Sequence, residues 1–330
     1  MLILTKSIMA MMIGFIFAVI VAMILIPFLK KEKAGQSINF YLRKSHHNKE
    51  GTPTMGGFIF IIPTVFIILT FLLLNKITYS TNLLIILFTF ISYAFIGFLD
   101  DYLIIKRHNN KGLSQIQKLI MQIIIATFFF YLFMKGDNEP LLWIQSLGIK
   151  LDIGFFYGLF ILFILVASSN AVNLTDGLDG LAGGLSVIAF LTFGIITFNT
   201  GWLEGYDDIA IFAFTLSGAL LGFLLFNTNP AKVFMGDTGS LALGATIGSF
   251  AILTRHEVLL ILIGIVFVIE TLSCIIQIIY FKLTGKRFFP MTPIHHTFEK
   301  KGMLESDIVK LFWTIGLISS MIALIYGVWL

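Results

Sequence analysis

Three polar side chains stand at three-residue spacing in the stretch NLTDGLDG, residues 173–180: Asn173, Asp176 and Asp179. Apolar segments lie on both sides of this stretch. A calcium EF-hand loop is excluded, because its ligands alternate along the loop and end on a distant Glu. One aspartate could cap the following helix, but a cap does not account for three spaced polar groups. The stretch is therefore a candidate site for chemistry.

Further carboxylates and histidines occur in three other short polar clusters. Asp100 and Asp101 end the third apolar segment, Asp237 lies in FMGDTGS, and His295 and His296 lie in PIHHTFEKKG. Paired carboxylates, glycine-rich turns and basic neighbours suit Mg²⁺-dependent phosphoryl transfer, in which positioning and charge neutralisation dominate. FMGDTGS lacks the Gly-Lys-Ser/Thr of a P-loop, which excludes that nucleotide-binding motif.

Each cluster also has a structural interpretation. Asp100 and Asp101 could be interfacial charges, although carboxylates at a helix C-terminus oppose the helix dipole. Asp237 or Thr238 could cap a helix, and Thr52 could cap one that begins at TPTMGG. A polar stripe in the ninth apolar segment could be a packed hydrogen-bond network; its members are Glu270, Ser273, Cys274, Gln277 and Tyr280.

The elements that must position these clusters are membrane helices. The chain has 330 residues, of which 58% are hydrophobic and 12% charged, with a mean hydropathy of +0.96. Long apolar runs are separated by short polar gaps. We therefore predict an all-α integral membrane protein that forms a single polytopic domain over residues 1–330. About ten transmembrane helices are expected, at 7–29, 57–74, 83–99, 119–134, 154–172, 181–199, 209–226, 240–254, 258–281 and 308–329.

The basic residues predict how the chain is oriented in the membrane. When the polar gaps are assigned alternately to two sides, most of the 22 Lys and Arg residues fall on one side, Lys33, Arg43, Lys44 and Lys111 among them. By the positive-inside rule that side is cytoplasmic and both termini are extracytoplasmic. The polar clusters all lie on the cytoplasmic face, as an active site at a membrane surface requires. The formal net charge of +4 comes from these loops and does not indicate nucleic-acid binding.

Two classes of function are consistent with carboxylates in a membrane protein. One is a transferase that acts on a lipid phosphate, and the other is a cation-coupled secondary transporter. Transporters normally hold such residues near the bilayer midplane, between repeated halves. Here the carboxylates lie at the ends of the predicted spans, and the two halves show no convincing repeat. A structural scaffold would need none of these clusters, so the chemistry favours the enzyme.

Five motifs, taken in order, resemble those of a known family. They are GTPTMGG (51–57), DDYL (100–103), NLTDGLDGLAGG (173–184), FMGDTGS (234–240) and PIHHTFEKKG (293–302). Over nearly the whole chain they resemble the phospho-N-acetylmuramoyl-pentapeptide transferases, within the polyprenyl-phosphate N-acetylhexosamine phosphotransferase superfamily. Several elements are shared across that superfamily, so a sister-branch N-acetylglucosaminyl-phosphate transferase is the alternative. The family usually has three consecutive histidines where this chain has His295, His296 and Thr297.

The resemblance implies Mg²⁺-dependent transfer of phospho-N-acetylmuramoyl-pentapeptide from UDP-N-acetylmuramoyl-pentapeptide to undecaprenyl phosphate at the bacterial cell membrane, giving lipid I and UMP. A homodimer is compatible with this activity. By motif, the catalytic residues are Asp100, Asp101 and Asp237, and the Mg²⁺ ligands are Asp237 and Asp176. The implied substrate-binding residues are Lys49, Thr54, Lys118, Asn173, Asp176, Asp179, Asn227, Phe234, His295 and His296. Direct attack by the lipid phosphate and a covalent phospho-aspartyl intermediate are both consistent with these residues.

Overall fold

The structure is a computed structural model that describes residues 2–32, 49, 51–107, 112–136, 138–144, 148–199 and 206–329. Four basic residues used to predict the orientation lie outside the described residues: Lys33, Arg43, Lys44 and Lys111. The described chain is almost entirely helical, which confirms the predicted fold class.

The described part of the chain forms α-helices and one β-hairpin. In chain order these are α1 (Leu2–Lys31), α2 (Phe58–Leu73), α3 (Thr81–Arg107), α4 (Gln115–Lys135), β1 (Leu141–Ile144), β2 (Ile149–Asp152), α5 (Phe156–Thr175), α6 (Leu181–Asn199), α7 (Asp207–Asn227), α8 (Gly236–Leu253), α9 (Leu260–Ile263), α10 (Ile265–Thr284), α11 (Ile294–Lys300) and α12 (Glu305–Leu324). A π-helical turn, Ile325–Trp329, follows α12.

Eight of the described helices are long and apolar enough to cross a membrane, judged by length and composition: α1, α3, α4, α5, α6, α7, α10 and α12. The apolar helix α2 is shorter, with 16 residues. A multi-pass membrane protein is therefore confirmed. The number of ten spans, the side on which the termini lie and the side of the active site stay predictions.

Two features of the fold differ from what the pattern of apolar runs predicted. The predicted span 258–281 is divided at Gly264, where α9 ends and α10 begins. Between α4 and α5 the chain forms an antiparallel hairpin in which Leu142 pairs with Leu151 and Ile144 with Ile149. The run LLWI has no polar alternation, so its sequence did not distinguish a short strand from an apolar loop.

Helix α8, which carries Asp237, lies in the interior of the helix bundle. All of its residues from Thr238 to Leu253 are buried, and it packs against α3 and α5. Gly97 of α3 lies so close to α8 that a Cβ atom there would overlap the main-chain carbonyl of Asp237. Small residues permit this kind of close helix contact in membranes. The contact brings Asp100, one turn beyond Gly97, to the N-terminus of α8.

The TPTMGG segment forms a loop that pairs with the turn before α8. Helix α2 begins only at Phe58 and has no side-chain cap, so the interpretation that Thr52 caps a helix is wrong. Instead, Phe234 N donates a hydrogen bond to Pro53 O at 2.8 Å, and Gly56 N donates to Phe234 O at 2.8 Å. Paired main chains of this kind fix the entry into α8, because each buried N–H and C=O group finds a partner.

Candidate active site

Asp100, Lys118 and Asp237 form a chain of ion pairs that joins three helices. Lys118 Nζ of α4 lies 2.6 Å from Asp237 Oδ2 and 3.1 Å from Asp100 Oδ1. Asp100 Oδ1 also accepts a hydrogen bond from Leu113 N at 2.6 Å. The Asp100 side chain is 6% exposed, whereas the Asp237 side chain is 22% exposed. Because a buried charge is costly without a partner, the shared ammonium stabilises both carboxylates.

The position of Lys118 is fixed by the local sequence at the start of α4. Ser114 Oγ accepts a hydrogen bond from Gln117 N at 3.2 Å, and Gln117 Oε1 accepts one from Ser114 N at 2.9 Å. These reciprocal bonds are a capping box, which satisfies main-chain donors of the first turn. The capping box therefore places Lys118 in the first turn of α4, facing Asp100 of α3 and the N-terminus of α8.

Asp101 caps the N-terminus of α8 from a different helix. Its Oδ1 accepts from Asp237 N at 3.2 Å, and its Oδ2 accepts from Thr238 N at 3.0 Å and from Thr238 Oγ1 at 2.6 Å. A carboxylate there satisfies unpaired N–H groups and interacts favourably with the helix dipole. The expectation that Asp237 or Thr238 caps α8 is therefore wrong, because the cap comes from α3. We interpret Asp101 as a residue that positions Asp237.

The turn that leads into α8 requires glycine at position 236. Gly236 has a φ of 72°, in the left-handed region that favours glycine. A Cβ atom at this position would also lie 2.5 Å from Asp101 Oδ2 and 2.6 Å from Thr54 Oγ1. The glycine therefore lets the main chain approach the capping carboxylate closely enough to bond it.

Asn173 brings the NLTDGLDG stretch to the start of α8. From the last turns of α5, its Nδ2 donates to Asp237 Oδ1 at 2.7 Å and to Ser240 Oγ at 2.9 Å. Asp237 thus has one carboxylate oxygen bonded to an amide and the other to the Lys118 ammonium. Its side chain is held from two sides while one edge stays partly exposed, as a ligand-binding carboxylate requires.

Asp176, just beyond the end of α5, lies in the most carboxylate-rich part of the site. Burial raises the pKa of Asp176 well above its usual value, and the nearby carboxylates of Asp237, Asp101 and Asp179 raise it further. The Lys49 ammonium acts in the opposite direction on the same pKa. A bound cation would relieve this crowding of negative charge.

Lys49 contacts two carboxylates at once. Its Nζ lies 2.7 Å from Asp179 Oδ1 and 2.5 Å from Glu305 Oε1. Asp179 Oδ2 additionally accepts from Ala231 N at 3.0 Å and from Asn229 Nδ2 at 3.2 Å. Asp179 and Lys49, both predicted to bind substrate, are therefore neighbours in the structure.

Three other predicted substrate-binding residues line the turn before α8 in different ways. Asn227 is buried, and its side chain accepts from Gly180 N at 3.1 Å and donates to Val233 O at 2.9 Å, so it holds two loops together. Phe234 is partly exposed. Thr54 is 2% exposed, and its hydroxyl has no hydrogen-bond partner among the described residues. A buried polar atom without a partner is costly unless a ligand or water meets it.

The two histidines of α11 lie against α10 and the NLTDGLDG loop. His295 is fully buried, with its Nδ1 3.1 Å from Glu270 Oε2. A Cβ atom at Gly177 would overlap the His295 ring, which shows how closely α11 approaches the loop after α5. His296 Nδ1 lies 2.5 Å from Glu299 Oε2. The His296 ring is thus oriented by Glu299, whereas the His295 ring nitrogens have no hydrogen-bond partner among the described residues. Glu270 accepts from His295 N at 3.4 Å and so connects the polar stripe of α10 to α11.

The rest of the α10 stripe and Thr297 have structural partners. Gln277 Oε1 accepts from Phe288 N at 3.1 Å and from Phe289 N at 2.9 Å, so it orders the loop after α10. The Thr297 hydroxyl donates to Met291 O. The residue that stands in place of the family's third histidine therefore closes the same loop on α11.

Sequence reasoning missed several polar residues of the site, above all Ser240, Asn229 and Glu305. Ser240 resembles any small residue of a packed helix, and Asn229 precedes a proline as turn residues often do. Glu305 is an acid in the first turn of α12, a position that helix dipoles favour in general. Nothing in the sequence distinguishes these residues from ordinary structural ones, because their partners come from distant segments.

The carboxylates of Asp237 and Asp176 supply oxygen atoms of the kind that a hard divalent cation such as Mg²⁺ binds. In the part of the chain that the structure describes, no group of three or more His, Cys, Asp or Glu side chains is arranged to hold a metal ion. Mg²⁺ usually binds one or two carboxylates together with phosphate oxygens and waters, so Asp237 and Asp176 are a sufficient protein contribution. The ammonium of Lys118 between Asp100 and Asp237 shows that this position attracts positive charge.

The Asp101 cap predicts coupled losses of stability and turnover. Asp101→Asn places an amide NH₂ near main-chain donors, so α8 should lose roughly 0.5–2 kcal/mol of capping energy. We expect a lower melting temperature in detergent together with a turnover at least about tenfold lower. Thr238→Ser keeps the hydroxyl donor and should change neither by much. Lost turnover at an unchanged melting temperature would instead assign Asp101 to direct catalysis.

The raised pKa of Asp176 predicts that this residue destabilises the ligand-free protein. The folded state keeps the proton to a higher pH than the unfolded chain, so stability falls as pH rises from the usual Asp range through the raised folded-state pKa. In EDTA at pH 7.5, Asp176→Asn should therefore raise the melting temperature, by about 2 °C or more. This difference should shrink towards pH 4. A melting temperature below that of the wild type at pH 7.5 would contradict the charge argument.

Comparison with known proteins assigns the family. The Glycosyl transferase family 4 model matches residues 83–255, and the phospho-N-acetylmuramoyl-pentapeptide-transferase signature 1 matches residues 49–61. The chain is 46% identical over 324 residues to the phospho-N-acetylmuramoyl-pentapeptide-transferase of Geobacillus sp. (strain WCH70), with 98% of each chain covered. It is 47% identical to that of Bacillus subtilis (strain 168), with 97% of each covered. For that of Listeria monocytogenes serovar 1/2a the identity is 49%, over 94% of this chain and 95% of the relative. The chain is thus a phosphotransferase and belongs to the phospho-N-acetylmuramoyl-pentapeptide-transferase family.

Proposed function

We propose that this protein transfers phospho-N-acetylmuramoyl-pentapeptide from UDP-N-acetylmuramoyl-pentapeptide to undecaprenyl phosphate, in a Mg²⁺-dependent reaction that gives lipid I and UMP. The observation that carries the proposal is the chain Asp100–Lys118–Asp237, with distances of 3.1 and 2.6 Å between side chains of α3, α4 and α8. The names of the relatives support the donor substrate. The positive-inside pattern of the basic residues supports a cytoplasmic location for the site.

In this proposal an oxygen of the lipid phosphate attacks the phosphorus that bears the sugar. The bond from that phosphorus to the oxygen of the α-phosphate breaks, and UMP leaves with the bonding electrons. The nucleophile is already anionic, so it needs alignment and charge neutralisation more than deprotonation. Direct transfer is therefore favoured over a covalent phospho-aspartyl intermediate.

The roles of the residues follow from their surroundings. Asp237, together with Asp176, would hold Mg²⁺, which supplies charge neutralisation to the phosphate oxygens when bound. Lys118 provides an ammonium that can turn from the carboxylates to a phosphate. Asp100, held by Leu113 N and Lys118, orients that ammonium and the incoming lipid phosphate.

The proposal predicts the choice of donor. Purified protein with undecaprenyl phosphate and Mg²⁺ should release UMP with UDP-N-acetylmuramoyl-pentapeptide, but not with UDP-N-acetylglucosamine. Release with the second donor alone would assign the chain to the sister branch. Cation-coupled solute uptake into proteoliposomes without UMP release would favour a transporter.

The proposal also predicts that Asp237 is indispensable. Asp237→Asn removes the charge that would hold the cation, and turnover should fall by about a thousandfold or more at saturating Mg²⁺. Asp207→Asn, at the exposed start of α7, is the matched control and should leave turnover unchanged. Both variants should insert into the membrane like the wild type. Near-normal turnover of Asp237→Asn would remove Asp237 from the metal site.

A further inference from the structure

Glu305 joins three segments of the chain that lie far apart in sequence. Its Oε1 accepts a hydrogen bond from Lys49 Nζ at 2.5 Å and one from Asp179 N at 2.7 Å. Its Oε2 accepts one from Asn229 Nδ2 at 3.2 Å. The loop before α2, the loop after α5 and the loop after α7 therefore all meet the first residue of α12.

Glu305 has more partners than the other acid in the first turn of α12, and its contacts are largely shielded from solvent. The side chains of Lys49, Asp179 and Glu305 are 13%, 2% and 16% exposed. Asp307, in the same first turn of α12, is 48% exposed and pairs with Lys310 at 3.3 Å. Exposed pairs of that kind contribute little, whereas loss of one partner from a buried pair is costly. A favourable interaction with the helix dipole would stabilise Glu305 and Asp307 equally, so it does not explain why only Glu305 contacts the three loops.

Lys49 is the group whose position depends most on this carboxylate. Its ammonium lies between Asp179 and Glu305, and the two carboxylates leave the trio with a net negative charge. Without Glu305, the long Lys49 side chain would keep a single anionic partner and gain rotamer freedom. The Asp179 main chain would lose its acceptor at the same time. Both effects act on residues that the family resemblance assigns to substrate binding.

We propose that Glu305 is a positioning residue of the sugar-nucleotide site, which acts through Lys49 and the loop that carries Asp179. This inference rests on the proposed function. Glu305 also follows α11 by a short loop, so its contacts tie the segment that carries His295 and His296 to Lys49 and Asp179. Among its contacts in the described chain none is with Asp100, Lys118 or Asp237, so we expect loss of Glu305 to weaken donor binding more than the chemical step.

The test separates donor binding from turnover. Glu305→Gln keeps an acceptor oxygen but removes the negative charge that faces the Lys49 ammonium. We expect the KM for the UDP-sugar donor to rise about tenfold with kcat within about twofold of the wild type. Glu305→Asp retains the charge and should recover part of the loss. Asp307→Asn is the matched control and should leave both constants unchanged. An unchanged KM in Glu305→Gln, or a loss of kcat alone, would overturn the proposal.

A double-mutant cycle with Lys49→Met tests whether Glu305 acts through Lys49. If it does, Glu305→Gln should add little to the loss in Lys49→Met, whereas fully additive effects would contradict the proposal. Melting temperatures of all variants identify a loss that comes from unfolding alone. Calorimetric binding of UDP to wild type and Glu305→Gln gives a readout that needs no transfer. If the wild type released no UMP, the proposed function would fail, while weaker UDP binding by Glu305→Gln would still support the positioning role.

Discussion

The N-terminus of α8 meets the Asp101 carboxylate, and the geometry of the site depends on this contact. A helix that begins inside a membrane protein exposes main-chain N–H groups that water cannot reach, so a buried acceptor must supply their partner. Asp101 does so from α3, and the close approach at Gly97 makes the distance short enough. Because Asp100 and Asp237 adjoin these contact points, the same packing sets the spacing of the two carboxylates that face Lys118.

Two ammonium groups organise the acidic residues of the site. Lys118 lies between Asp100 and Asp237, and Lys49 lies between Asp179 and Glu305. With more carboxylates than ammonium groups, the site carries excess negative charge in partly buried surroundings, where such charge is costly. The cost is consistent with a site that binds a cation during its reaction. It also makes the ligand-free protein less stable than packing alone would allow, a recurrent trade between stability and activity.

The sequence predicted the fold most successfully where the relevant physics is local. Runs of apolar residues predicted the long membrane helices, because helices are the structures that satisfy their own main-chain groups in lipid. The prediction was less successful where local signals were ambiguous or misleading. The loop after Thr52 is held by main-chain bonds to the turn before α8. The break at Gly264 and the hairpin at Leu141–Asp152 were not visible in the hydrophobic pattern.

Residue type and motif order by themselves determined that the chain is an α-helical membrane transferase and which polar clusters are candidates for its site. These conclusions rest on the length of the apolar runs, the chemistry of carboxylates and the spacing of the motifs. None of these depends on knowing which residues are in contact in the folded protein. Only the tertiary structure decided what each polar atom meets. Asp101 bonds a main-chain N–H 136 positions away, and Lys49 pairs with Glu305 across 256 positions. Contacts at such separations arise from helix packing, and for that reason the roles of Asp101 and Glu305 became visible only in three dimensions.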